Sequence, residues 1–208
     1  MTINEFWTCM DKWRAASDND TEAFYETAQA ELASMDAAAV KEFRGILGGY
    51  MYHINECVWL DMACKVINGY VSDDTSLYFN LWVLSQGRSA ALNALKDPDS
   101  LADLPVIPWG NAEFEMLMGL GFDEDDYGYG AEEADESDDD EDGEFPPDME
   151  GFHTSPFVAE IAQEIVYKNG DKWGGFEDFD DAMDAIPEHC PRLIARAKAE
   201  GFDWENYI

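Results

Sequence analysis

Basic residues are scarce in this chain: 12 Lys+Arg stand against 46 Asp+Glu, for a formal charge of −34 over 208 residues. A field of that sign disfavours nucleic acid and anionic membrane surfaces as direct partners. It favours metal cations or the basic face of another protein. Histidine is scarcer still, with three, none beside a nucleophile motif. A phosphate-cradling GxxxxGK[ST] loop, a dinucleotide-binding GxGxxG, a GxSxG elbow and an HExxH pair are all missing, so the common signatures of nucleotide, hydride, acyl-transfer and zinc-protease chemistry are absent. Apolar runs are too short and interrupted to span a bilayer. The opening residues, MTINEFWTCMDKW, lack a basic region followed by an apolar one, so no secretory signal is read there. Cys9, Cys57, Cys64 and Cys190 have no close paired spacing and read as reduced thiols, which makes the cytoplasm the expected compartment. No alternating apolar pattern is long enough for a strand, and no segment repeats.

What is present is helical periodicity. The hydrophobic content of 46% is enough for a core, and its spacing predicts an all-α, compact multi-helix bundle. Thr2 and Glu5 fit a capping box for a helix to about Ala16, with Phe6, Met10 and Trp13 inward and Trp7 beside them. The Asp18 to Asp20 run caps a second helix, about Thr21 to Ser34, with Phe24, Ala28 and Leu32 inward. From Asp36 a third, long helix is expected to reach about Asn68, carrying Val40, Phe43, Leu47, Met51, Ile54, Val58, Met62 and Val66 every three or four residues. Gly48-Gly49 kinks it or lets another element come close. Asp61 and Lys65 on it have the spacing of a favourable ion pair.

The densest apolar run follows, INGYVSDDTSLYFNLWVLSQGRSAALNALKDPDSLADL. Asn68-Gly69 stops one helix. Ser72 caps the next, with Asp73 and Asp74 in a first turn where the helix dipole favours negative charge. Leu77 to Leu84 is apolar nearly all round, so this helix belongs at the centre. Ser85-Gln86-Gly87 ends it, a short helix runs from Arg88 to Leu95, and Asp97-Pro98-Asp99-Ser100 turns into one more helical turn. LPVIPW is extended, and Asn111 to Leu120 reads as a helix. Residues 123–150 hold 16 acids and no base, leaving −18 outside them; this is an acidic low-complexity insert expected to be loosely ordered. Beyond it, helices are expected over Pro156 to Lys168 (Phe157, Ile161, Ile165 and Val166 inward), Asp178 to Ile186, and from Pro187 to about Glu200. The organisation is thus a helical core domain over 1–122, the insert, and C-terminal helices over 151–208 packing on the core.

NGYVSDD, then WVLSQGR, then DPDSLADL, with Phe6-Trp7 near the amino terminus, resembles the bacterial domain-of-unknown-function family 4240 over roughly residues 1–127. CPRLIARAKAEG, Cys190 to Gly201, is similar to a short PRLWA type of segment near the end of some members. The acidic insert and the segment after it lie outside the shared pattern. The resemblance supports the fold and carries no reaction with it.

Three groups of residues could carry chemistry. Asp73, Asp74, Gln86, Arg88, Asp97 and Asp99 flank the helix ends of the central stretch; if those ends meet they form a polar pocket, with Arg88 anchoring a carboxylate of a ligand or of a neighbouring aspartate. Otherwise they are caps and a structural ion pair. Asp138, Asp140 and Asp142, followed by Gly143, have the first half of a calcium-loop spacing, but Met149 stands where the closing acid belongs and Pro146-Pro147 obstruct the exit, so a solvated charge run is the favoured reading. His53, Cys57, Asp61 and Cys64 share one helix face, as zinc ligands or as packed core. Trp7, Trp13, Trp59 and Trp82 read as core, whereas Trp109, Trp173 and Trp204 fall in loops where a partner surface is conceivable. The expectation is a non-enzymatic protein-binding domain, of immunity, antitoxin or nucleic-acid-mimic type, whose partner is a basic protein surface and which needs no cofactor. The alternatives are a ligand binder or enzyme around Arg88, and a calcium-responsive module.

Overall fold

The computed structural model describes residues 1–121 and 155–206. Those residues form helices and turns, with no strand among them. Helix α1, Ile3–Ser17, opens on the expected capping box: the Thr2 N–H donates to the Glu5 carboxylate at 2.7 Å while the Thr2 hydroxyl accepts from the Glu5 N–H. Asp18 and Asn19, both at positive φ, reverse the chain. Asp20 then caps α2, Thr21–Leu32, through the Ala23 N–H at 2.8 Å. The two helices pack as a hairpin, burying Phe6, Trp7, Met10 and Trp13 from one and Phe24, Ala28 and Leu32 from the other.

The long third helix is in fact two. Helix α3 spans Ala37–Ile54 and α4 spans Val58–Asn68, separated at Asn55-Glu56-Cys57, where Glu56 adopts φ 56. The apolar spacing runs through this break, which is why periodicity alone joins them. The terminal carbonyls of α3 find their donors elsewhere in the chain. Lys172 Nζ reaches those of Tyr52 and Asn55 at 2.9 Å each, the Tyr167 hydroxyl that of His53 at 2.7 Å, and Asn80 Nδ2 that of Ile54 at 3.4 Å. With those orphan groups satisfied the helix can stop without a cap of its own. Gly48-Gly49 does not kink α3; the helix runs on, and a Cβ on Gly49 would meet the Ile161 side chain at 2.6 Å. Gly49 serves close approach.

Helix α4 is the hub. Every residue of it except Lys65 is buried, and it packs against the two helices that follow it, the Pro98–Asp103 turn and the last helix. A lone helix of 11 residues is marginal in water, so burial holds it, at about 1.5–3 kcal/mol for each large apolar side chain. The expected Asp61–Lys65 pair does not form: Asp61 accepts from the Ser76 hydroxyl, and Lys65 Nζ donates to the Gly69 carbonyl at 2.6 Å. Gly69, at φ 84, ends α4 and Ser72 caps α5, Asp73–Ser85. Trp59 and Trp82 are both buried at this junction's two helices, as the central reading requires. Helix α6, Arg88–Lys96, follows.

Residues 111–120 are not a helix. The Asn68 side chain, fully buried, holds both the N–H (2.8 Å) and the carbonyl (3.4 Å) of Ala112, and the Phe114 N–H goes to the Tyr78 carbonyl. With these groups drawn outward, only a 3-10 turn at Glu115–Gly119 remains. After the undescribed stretch, the expected helix over Pro156 to Lys168 shrinks to α7, Val158–Ile161; Ile161 is buried but Val166 is exposed. Helix α8, Phe179–Asp184, is capped by Asp178. Instead of one final helix from Pro187 there are two, α9 at Ile186–His189 and α10 at Pro191–Ala199. The expected disorder of 123–150 falls outside the described residues.

Candidate functional site

Of the six residues of the expected polar pocket, Gln86, Arg88, Asp97 and Asp99 each hold different partners. Asp73 and Asp74 stand exposed in the first turn of α5. Gln86 donates to the Trp82 carbonyl at 3.3 Å and to the Ser85 hydroxyl. Asp97 pairs with Lys168 at 2.9 Å. Asp99, buried, caps a helix 90-odd positions away: its two oxygens accept from the N–H groups of Arg192 (3.1 Å) and Leu193 (2.8 Å), at the start of α10.

Arg88 is the exception, because it sits in a polar cluster that local sequence does not reveal. Its Nε lies 3.0 Å from Glu164 Oε2, its Nη2 contacts the same oxygen, and its Nη1 lies 2.7 Å from Asn4 Oδ1. The other carboxylate oxygen of Glu164 accepts from the Tyr50 hydroxyl, which in turn accepts from Trp7 Nε1 at 2.6 Å. Tyr50 is fixed by aromatic packing, 4.9 Å from the Trp7 ring centroid and 5.8 Å from that of Phe6. Burial, reinforced by the Glu164 hydrogen bond, pushes the Tyr50 hydroxyl well above its ordinary range, so it is a donor. The Glu164 carboxylate likewise holds Arg88 above its usual value. Three donors from α3 and α6 therefore converge on one carboxylate from the carboxyl-terminal segment, backed by a tryptophan from α1.

The model of the family described as protein of unknown function (DUF4240) matches residues 1–133. The chain belongs to that family. No curated protein and no solved structure matches it. The DUF4240 region thus contains Asn4, Trp7, Tyr50 and Arg88, whereas Glu164 lies beyond it. The rest of this segment also lies along α3 and α4 of the DUF4240 region. Phe157 packs against Gly45 and Ile161 against Gly49; His53 Nε2 meets the Val158 carbonyl at 2.8 Å; Trp59 Nε1 donates to the Asp171 carbonyl at 3.0 Å. Gly174 lies on the Trp59 ring, where a Cβ would come within 2.0 Å.

The second face, His53, Cys57, Asp61 and Cys64, is divided by the break at residue 56, and no group of three or more metal-ligating side chains gathers among the described residues. Burial pushes the Cys57 thiol up to about 12 and raises those of Cys64 and Cys190 as well, so all three are neutral thiols packed in the core. His189 stands edge-on to Trp59 and Phe176, and burial lowers its pKa. Asp138, Asp140 and Asp142 lie outside the described residues. Trp109 is not a free surface residue: it stacks on Phe202 and donates to Glu200 at 2.7 Å, while Trp173 stays exposed. No helix among the described residues is long and apolar enough to cross a membrane.

Proposed function

We propose that this DUF4240 protein is a non-enzymatic binding module that places its acidic surface on a basic face of another protein, in the manner of an immunity or antitoxin protein. One observation carries the reading: cations are drawn into ion pairs within the molecule while a run of carboxylates stands exposed on and beside short ordered helices. Lys12, Arg88, Lys168, Arg192 and Arg196 pair with Glu31, Glu164, Asp97, Asp103 and Glu200. By contrast Asp178, Asp180, Asp181, Asp184 and Glu188, on and beside α8 and α9, are all exposed, with no Lys or Arg between Lys172 and Arg192. A fixed row of like charge steers a complementary partner and accelerates encounter. A nucleic-acid mimic, in which such carboxylates follow phosphate spacing, is the narrower form of the same reading.

The test is a partner co-purified at low salt, identified, and re-measured in pure form. It is expected to be basic, and its association is expected to slow about tenfold or more between low and physiological ionic strength. Changing Asp180, Asp181, Asp184 and Glu188 to their amides is expected to remove most of that salt dependence and leave the helical circular dichroism unchanged. Equal affinity at low and high salt would rule the reading out.

A further inference from the structure

Glu164 occupies its place in the way a ligand would. The donors that hold it, Arg88 and Tyr50, belong to the DUF4240 region, and the acceptor belongs to a segment outside that region. The donors are also held by groups other than Glu164. Trp7 Nε1 fills one lone pair of the Tyr50 oxygen and so directs the hydroxyl proton outward, and Asn4 holds the far side of the guanidinium. Tyr50 and Trp7 are 1% and 3% exposed, a rigid floor, whereas the Arg88 and Glu164 side chains keep 37% and 18% of their surface, so the carboxylate is reached from solvent without unfolding the core. The segment carrying Glu164 has little structure of its own. Its helical turns are short, four residues at Val158–Ile161 and three at Lys168–Gly170, and it is held by contacts along α3 and α4, from Phe157 at Gly45 to Gly174 at Trp59.

We propose that Asn4, Trp7, Tyr50 and Arg88 form a carboxylate-binding pocket in a peptide groove of the DUF4240 region, and that residues 155–176 are a tethered occupant whose Glu164 fills it. The ligand class is a short peptide bearing an acidic side chain, aligned so that its carboxylate takes the two donor nitrogens of Arg88 and the Tyr50 proton. Such a peptide binds by displacing the chain's own segment. This stands apart from the salt-steered reading above: the pocket recognises an anion in a local cation and hydroxyl cradle, whatever the outer surface binds.

The experiment is chemical rescue on the full chain. Glu164→Ala leaves a carboxylate-sized vacancy, and sodium acetate is expected to raise its melting temperature by several degrees over sodium chloride at equal ionic strength. The wild-type chain and a Glu164→Ala/Arg88→Ala double variant are expected to show no such difference. A fluorescent peptide of residues 155–176 is expected to bind Glu164→Ala at least tenfold more tightly than wild type, and the same peptide with glutamine at position 164 is expected to lose that gain. Folded Glu164→Ala that does not distinguish acetate from chloride, or the peptide from its glutamine form, overturns the proposal. If Glu164→Ala does not fold, Glu164→Ser is tested in the same way. Failure of both to fold also overturns it, because the carboxylate is then a fixed strut and not an exchangeable occupant.

Discussion

Asp61 shows how a single carboxylate can work against the fold it belongs to. It is 8% exposed on α4, and the groups facing it are the Ser76 hydroxyl and the carboxylates of Asp73 and Glu56; Lys65, one turn on, gives its ammonium to a backbone carbonyl. Burial raises its pKa from 3.8 to about 6 despite the Ser76 hydrogen bond. Since the folded form takes up the proton before the unfolded chain does, the associated stability is complete below pH 3.8 and is lost as pH rises through about 6. Asp61→Asn keeps the Ser76 partner and removes the buried charge. It is expected to be more stable than wild type at pH 7 by about 1–3 kcal/mol, with the gap closing toward pH 4. Urea titrations that run parallel across that range would show that the group is not desolvated as described. Gly174 offers a second test at this scale, with its neighbour as control. Both Gly174 and Gly175 have positive φ, but a Cβ on Gly174 meets the Trp59 ring and one on Gly175 meets nothing. Alanine at either costs about 1–2 kcal/mol in the left-handed region. Gly174→Ala is expected to cost about 1–3 kcal/mol more for the overlap, and equal melting of the two variants would contradict the packing.

Among the elements, the end of α3 depends most on distant residues. Its last carbonyls are met by Lys172 and Tyr167, more than a hundred positions away, and by Asn80. Lys172→Met keeps much of the aliphatic stem and removes the cation from a helix terminus where positive charge is favourable. It is expected to destabilise the protein by about 1–3 kcal/mol in chemical denaturation and to raise amide hydrogen exchange around Asn55-Glu56-Cys57 first. The same geometry explains what could be read from sequence. Caps that lie within four residues of their helix, Thr2 with Glu5, Asp20, Asp36 and Ser72, are visible as local spacing and stand where expected. Terminators that come from elsewhere are not: the α3–α4 break, the lost helix at 111–120 and the shortened one after Pro156 were all set by tertiary hydrogen bonds or packing. Arg88 could be recognised as a carboxylate anchor from its chemistry. Its partner could not, because Glu164 is separated from it by 76 residues and no short motif joins them.

Across the whole molecule, burial of apolar helix faces and exposure of carboxylates divide the work. In the core α4 is surrounded by α5, α6 and the Pro98–Asp103 turn while α1 packs on α2, α3 and α5, and α10 closes it through Asp99 at its start, Arg192 on Asp103, and Arg196 on the carbonyls of Ala102, Leu104 and Pro105. Among the described residues, bases engaged in this way leave exposed carboxylates such as Asp180, Asp181, Asp184 and Glu188 to act outward. The most direct measurement is the association rate of the purified protein with its co-purified partner as a function of ionic strength, made in parallel with the variant in which Asp180, Asp181, Asp184 and Glu188 are amides. If the acidic face docks on a basic one, the wild-type rate falls steeply with salt and the variant starts low and barely changes. A partner that is acidic or neutral, or a rate indifferent to both salt and the four substitutions, would contradict it.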